Sequence, residues 1–368
     1  MSESALGRNN PASVPESCVQ LLTPDGDRRS HPEFSFDGDL DAVAALYRQM
    51  YLIRRIDTEA FALQRHGELG LWASALGQEA AQVGSAAALG PADFVYPSYR
   101  ETLVGWLLGI DLADLIAVWR CSTLGGWDAK RHRFGPLSIV IGSHPLHAVG
   151  YARGMVMRGD SNPAVLTYFG DGASSQGDLW EALEFAALQK APVVFFCQNN
   201  QYAISLPATQ QTAAPIVQRA AGFGMRGIHV DGNDVLACQA VTDAALNLAR
   251  SEGTPVLVEA RTYRMGPHTT SDDATRYRDA AEVEAWRAAD PLDRVRKHLE
   301  AEGLDPRFFA DLEAEAEELG ASVRATCLAI PEPDLAAWFD NVYAEQTDEL
   351  RVQQAEYVAW REQYGGVA

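Results

Sequence analysis

The chain has 368 residues, 47% of them hydrophobic and 22% charged, with 30 basic against 50 acidic side chains and a formal net charge of −20. That length buries a substantial core and has room for two domains, while the acidic balance argues against nucleic acid or an anionic membrane surface as partner. No run is long enough to span a bilayer, and five dispersed cysteines with no CxxC exclude a disulfide framework and a zinc cluster.

The opening MSESALGRNNPASVPES has no apolar signal core, so a cytoplasmic location is expected. Residues 1–38, rich in Pro, Ser, Asn, Asp and Gly, read as an N-terminal arm that is ordered in part at 19–22. Val43, Leu46, Met50, Ile53 and Ile56 then recur at helical spacing and predict an amphipathic helix over 40–65, ended by Gly67. A second helix over 76–89 is crowded with Ala, Gly and Ser, which suits a close packing or subunit contact as well as a plain internal helix. Tyr96-Pro97-Ser98 reads as a loop, with Tyr99-Arg100-Glu101 opening a helix. Arg100 is either a surface residue or a guanidinium fork for phosphate.

The Gly-rich loop 122–137 carries Lys130, Arg131, His132 and Arg133, which either rim an anion site or form a solvated tip. A short apolar stretch, a turn at Gly142-Ser143 and a helix bearing His144 and His147 follow. With no third ligand beside them, these histidines read as packed or hydrogen-bonded groups, not as a metal pair.

The centre of the chain is LTYFGDGASSQGDLWEALEFAALQKAPVVFFCQNNQYAIS, residues 166–205. It reads as an apolar strand over 165–169, a turn at Gly170-Asp171-Gly172, a helix, and a second apolar strand over 193–197 that stops at Asn199-Asn200. A helical crossover of this length makes a parallel pair, so Asp171 and Asn200 arrive at the same sheet edge, where open α/β sheets bind ligands. A carboxylate and a carboxamide are hard oxygen ligands that suit Mg²⁺ or Ca²⁺. Gly172, Ala173 and Ser174 are expected at the start of the following helix, where free N–H groups favour an anion. A divalent ion beside such a terminus suits a diphosphate.

Helix–strand alternation over 212–261 extends the parallel sheet. It contains a GxGxxG at 222–227 that follows a helix and opens a strand, the reverse of a dinucleotide fingerprint, so a nicotinamide site is rejected. The last strand runs into TYRMGPHTTSDDATRYRD, 262–279, a polar loop on the same edge. There His268 is a candidate catalytic group, while Arg264, Arg276 and Arg278 equip the loop to order around an anion. From Glu282 onward the pattern is helical. The division is therefore an arm (1–38), an α/β domain (39–280) built on a parallel sheet flanked by helices, and a C-terminal helical region (281–368).

GDG, 26 residues and NN resemble the thiamine-diphosphate signature. With GQEAAQVGSAAAL, YPSYRE, GDGASSQGD, CQNNQYAIS, VDGNDV, TYRMGPHTTSDDATRYR and DPLDRVRKHL, nearly the whole chain resembles the alpha subunit of the decarboxylating first component of 2-oxoacid dehydrogenase complexes. The branched-chain (2-oxoisovalerate) type is nearest and the pyruvate type next. The resemblance implies the thiamine-diphosphate-binding fold, its pyrophosphate-binding half. It also implies oxidative decarboxylation of a small 2-oxo acid, with acyl transfer to the lipoamide of an acyltransferase component. By resemblance, Asp171, Asn200 and the Tyr202 carbonyl bind Mg²⁺, and Tyr99 and Arg100 hold the diphosphate with Gly172, Ala173 and Gln198. The backbone of Ile139 and Ile141 contacts the aminopyrimidine, His268 stands at the reacting carbon, and Arg264 orders the loop. Two positions depart from the pattern: Gln198 replaces a frequent Arg, and His144 replaces a usual Gln, which puts a monovalent-cation site there in doubt. The family's remaining catalytic glutamate lies on a beta subunit, so a heterotetramer of two alpha and two beta chains is implied, with this chain inactive alone. The alternatives are a pyruvate or acetoin enzyme, or a metal-diphosphate-binding subunit without turnover.

Overall fold

A computed structural model describes residue 12 and residues 14–123, 125–160 and 162–365. The readings for 1–11, 13, 124, 161 and 366–368 lie outside the described residues. Seven strands occur among them: β1 (Phe94–Tyr96), β2 (Val165–Gly170), β3 (Val193–Asn199), β4 (Tyr202–Ala203), β5 (Leu206–Pro207), β6 (Arg226–Asp231) and β7 (Val256–Arg261). The helices are α1 (Leu40–Arg65), α2 (Glu79–Ala87), α3 (Thr102–Leu107), α4 (Leu112–Trp119), α5 (Ala129–His132), α6 (His144–Arg158) and α7 (Gly177–Gln189). They continue with α8 (Ala208–Gln211), α9 (Val235–Glu252), α10 (Ala280–Arg287), α11 (Pro291–Ala301), α12 (Arg307–Ala329) and α13 (Asp348–Tyr364).

Five strands form one sheet in the order β1-β2-β3-β7-β6, every pair parallel, while β4 and β5 make a short antiparallel hairpin. Parallel strands covered on both faces read as continuous apolar runs, and β2 and β3 do so. Their side chains alternate between two cores. Leu166, Tyr168, Val194 and Phe196 face a cluster with α1, α2 and α9, and Val165, Phe169, Val193 and Phe195 face one with α6 and α7. Gly84 of α2 packs against Val235 and Cys238 of α9 so closely that a Cβ there would stand 2.7 Å from the Cys238 Cβ. The small residues of 76–89 therefore serve an internal helix contact.

Three features differ from the sequence reading. First, Phe94–Tyr96 is a sheet strand, and 133–138 runs along its outer edge through parallel bridges Val95–Phe134 and Ser98–Ser138. Second, the turn after β2 is a separate 3-10 segment, Asp171–Ser175, and α7 begins only at Gly177. Gln176 lies between them with extended backbone (φ −93°, ψ 134°), so Gly172, Ala173 and Ser174 do not open the long helix. Third, α11 and α12 share the α1 core through Leu292, Val295, Leu299, Leu312 and Val323, whereas α13 contributes no buried residue. In the N-terminal segment Val19 bridges Val230 in parallel, and the Leu21 and Leu22 amides donate to Asp234, the N-cap of α9.

Candidate functional site

The carboxyl ends of β2, β3 and β7 deliver Asp171, Asn200 and the 262–279 loop to one side of the sheet, as parallel register requires. They border a cavity of about 420 Å³, within the roughly 300–1,000 Å³ of ligand pockets. Asp171, Asn200, Tyr202, Tyr99, Arg100, Ile139, Ile141, Gly172, Ala173, Gln198 and His268 all line it, with Arg264 beside them. Lys130, Arg131, His132 and Arg133 do not; they sit on and after the one-turn α5, away from this lining.

At the floor, Asp171 is 2% exposed, and burial pushes its carboxyl up to about 6 against the opposing Gln211 hydrogen bond of 3.0 Å. The Asn200 carboxamide stands 3.3 Å from Asp171 Oδ1 and 3.1 Å from the Tyr202 carbonyl. Its Nδ2 donates to Gln78 Oε1 at 3.0 Å, which leaves Asn200 Oδ1 facing those two oxygens. In this orientation of the amide three oxygens converge and fit a hard divalent cation; in the reversed one, which the protein's own hydrogen bonds favour, the Asn200 nitrogen donates to Asp171 Oδ1 and the Tyr202 carbonyl instead. No group of three or more His, Cys, Asp or Glu capable of holding a metal occurs among the described residues, so this set depends on a carboxamide and a carbonyl with one carboxylate. Asn199, the other half of the NN pair, points elsewhere and donates to Glu259 at 2.7 Å.

The wall opposite is built from charge. Arg100 is 5% exposed; its guanidinium donates to the Ser74 carbonyl at 2.6 Å and the His268 carbonyl at 3.0 Å. Arg264, fully buried, donates to the carbonyls of Tyr202 (3.0 Å) and Ile204 (2.7 Å) and to the Tyr277 hydroxyl (3.0 Å). The two guanidiniums also flank His268 Nδ1, at 3.3 Å from Arg100 and 3.2 Å from Arg264. Two donors on one nitrogen require its lone pair there, which assigns the proton of a neutral imidazole to Nε2. Burial, then the two arginines, hold His268 down to about 3 against the nearby Asp272, so the ring is neutral at physiological pH. Asp272 accepts from the His268 amide at 2.7 Å and fixes the loop.

Several buried polar atoms on this lining have no partner: Gln78 Nε2, Gln198 Oε1 and His144 Nδ1. Orphaned buried groups cost about 1–3 kcal/mol each, and a polar ligand would relieve them. Gln198 donates through Nε2 to the buried Glu101, which also accepts from the Ser98 amide and hydroxyl at 2.7 and 2.6 Å. His144 hydrogen-bonds the Tyr168 carbonyl through Nε2, and burial holds it down to about 4. At the mouth, Ile139 and Val140 are each 74% exposed. Gly172 lies so close to Ala203 that a Cβ would meet its Cβ at 2.9 Å, which keeps the turn's backbone open to the cavity.

Gln78, Ser98, Glu101 and Ser74 belong to this site, and sequence reasoning did not find them. The signal was present only in part: GQE and YPSYRE were visible as strings, but the pairing of Gln78 with Asn200 spans 122 positions.

The family model described as dehydrogenase E1 component matches residues 47–327. The chain is 44% identical over 343 residues to the 3-methyl-2-oxobutanoate dehydrogenase subunit alpha of Mycobacterium tuberculosis, covering 93% of each. It is 34% identical to the mitochondrial 2-oxoisovalerate dehydrogenase subunit alpha 2 of Arabidopsis thaliana, over 92% of this chain and 74% of that one. A pyruvate dehydrogenase E1 component subunit alpha of Staphylococcus epidermidis is 38% identical, over 91% of each chain.

Proposed function

The chain belongs to the dehydrogenase E1 component family, and on that premise we propose that it is the alpha subunit of a branched-chain 2-oxoacid dehydrogenase. Its substrate in this reading is 3-methyl-2-oxobutanoate or a close relative, its cofactors thiamine diphosphate and Mg²⁺, and its product an acyl group passed to lipoamide on an acyltransferase. The observation that carries the reading is the convergence of Asp171 Oδ1, the Asn200 carboxamide and the Tyr202 carbonyl, within 3.3 and 3.1 Å of the carboxamide, on a cavity with unpartnered polar atoms. That oxygen set fits Mg²⁺, and the arginine-bearing wall fits a diphosphate.

Bound thiamine diphosphate supplies the electron sink for decarboxylation. The chain's own residues bind, orient and exclude water. Arg100, fixed on Ser74 and His268, and Tyr99 beside it hold the diphosphate, with the cavity-lining backbone of Gly172 and Ala173 assisting and Gln198 contributing only through the remaining N–H of the nitrogen that already donates to Glu101. The 139–141 backbone at the mouth receives the aminopyrimidine. His268, neutral with its proton on Nε2, offers that proton as a hydrogen bond to the substrate while Arg100 and Arg264 keep Nδ1 from charging. The exposed apolar side chains of Ile139, Ile141 and Ile204 on the cavity lining support a partner closing the cavity, the beta subunit of a heterotetramer. No helix among the described residues is long and apolar enough to cross a membrane.

The pyruvate-type relative supports a second reading with pyruvate as substrate. Rates with 3-methyl-2-oxobutanoate and pyruvate, measured on the chain co-expressed with its beta subunit, separate the two. Preference for pyruvate overturns the branched-chain assignment.

A further inference from the structure

We propose that Gln78 is a positioning residue of the metal–diphosphate site: its Oε1 turns the Asn200 carboxamide oxygen toward the cation, and its Nε2 donates to the bound anion. This rests on the function proposed above. Gln78 is fully buried at the N-cap of α2 and lines the cavity. Asn200 has two orientations, and Gln78 discriminates between them. With Nδ2 on Gln78 Oε1 at 3.0 Å, the Asn200 oxygen faces Asp171 and the Tyr202 carbonyl, ready to ligate. Reversed, its nitrogen donates to both of those oxygens and blocks the cation position, but its oxygen then meets Gln78 Oε1 at 3.0 Å. That reversal is tolerated only if Gln78 reverses as well. The two amides are therefore one coupled element with two self-consistent settings.

The setting with the Asn200 oxygen toward Asp171 leaves Gln78 Nε2 buried without a partner, whereas with both amides reversed Nε2 donates to Asn200 and Gln78 Oε1 takes its place. An oxygen of a diphosphate in the same cavity supplies the missing acceptor, so the setting that presents oxygen to the cation also presents a donor to the anion. The surrounding chain holds Gln78 in place. Its amide donates to the Ala75 carbonyl at 2.8 Å, the Gly77 amide donates to Glu79 Oε2 at 2.9 Å, and Arg54 anchors Glu79 Oε1 at 2.7 Å. Gly77 sits at φ +90°, a backbone conformation that L side chains rarely adopt.

Two variants separate the two contacts. Gln78→Leu removes both; Gln78→Glu keeps an acceptor for Asn200 and removes the donor. Each is prepared as the full chain with its co-purified partner subunit. Mn²⁺ binding is read by electron paramagnetic resonance at saturating thiamine diphosphate, and thiamine diphosphate binding by tryptophan fluorescence at saturating Mg²⁺. Gln78→Leu is expected to weaken Mn²⁺ roughly 10–100-fold, the usual effect of losing a residue that orients a metal ligand. Gln78→Glu is expected to hold Mn²⁺ at or above wild-type affinity while thiamine diphosphate binding weakens. Wild-type affinities for both ligands in Gln78→Leu, or equal loss of Mn²⁺ in the two variants, overturns the inference. A wild-type protein that binds neither ligand overturns instead the function on which it rests.

Discussion

Replacing Arg264 with Met should open the 262–279 loop without unfolding the sheet. Arg264 donates to the carbonyls of Tyr202 and Ile204 and to the Tyr277 hydroxyl, tying the β4–β5 hairpin to the loop that carries His268. Hydrogen bonds to a charged donor are worth roughly 1.5–3 kcal/mol each, so the two carbonyl bonds alone give about 3 kcal/mol at the lower figure. The contacts to Tyr277 and His268 add to this, and relief of the buried, unpartnered Nε offsets part of it. Because the sheet core does not depend on the loop, the loss appears as local opening, about 100-fold in the opening equilibrium at about 1.4 kcal/mol per tenfold. Trypsin reads this directly. Arg276 is exposed, but Arg278 is held by the carbonyls of Met265 (2.9 Å) and Gly266 (3.1 Å), so cleavage there requires the loop to open. Arg264→Met should raise cleavage after Arg278 and amide exchange across 262–279 by about that factor. Arg264→Lys should fall between, since one ammonium cannot span four acceptors. Unchanged cleavage and exchange in Arg264→Met would refute the reasoning.

His268 and His144 are held down to about 3 and about 4, so both stay neutral in the folded chain while the unfolded imidazoles protonate near 6.5. Through these two groups the unfolded state binds more protons below pH 6.5, so their contribution to stability is full above that pH and falls as it drops toward 4, while the carboxyls of Asp171 and Asp234, each pushed up to about 6 by burial, act in the opposite sense over the same window. The difference in urea midpoint between wild type and His268→Gln isolates the imidazole: wild type should lose more than the variant between pH 7 and pH 5, and equal losses would refute the assignment. In the assembled enzyme, His268→Ala should lower kcat by roughly 10²–10⁴-fold at unchanged Mn²⁺ affinity; intact turnover would remove the catalytic assignment. Asn200→Ala should weaken Mn²⁺ while leaving the thermal midpoint within a few degrees, because the amide borders a cavity and not the core. Gly77→Ala should destabilise more than Gly172→Ala. The first combines φ +90° with a clash on the Tyr263 carbonyl, worth at least about 1–3 kcal/mol for the backbone alone, whereas the second meets only the Ala203 methyl. Comparing the two denaturation midpoints tests that order.

What was legible in the sequence was local. The α1 helix lies where periodicity places it, because a 3.6-residue stripe is written in neighbouring residues, and the structure adds the cap of Asp39 on the Ala42 amide. Strands β2 and β3 were legible because burial on both faces leaves unbroken apolar runs. The three residues of β1 carry no such run and gain their partner from β2, 71 positions on. The separation of the 171–175 turn from α7 depends on one extended residue, Gln176, whose side chain gives no sign of it. At the site, the residues that the resemblance assigns to cofactor and metal were readable as motifs, while the neighbours that orient them were not, although Gln78 and Glu101 line the same cavity. Gln78 reaches Asn200, Ser74 reaches Arg100, and Glu101 reaches Gln198 only through the fold.

The most direct test of the account is decarboxylation by the purified chain with and without a co-expressed beta subunit, in the presence of thiamine diphosphate and Mg²⁺. The account predicts turnover of 3-methyl-2-oxobutanoate by the assembled pair and none by the chain alone. Full turnover by the chain alone, or none by a pair that has bound the cofactor, would contradict it.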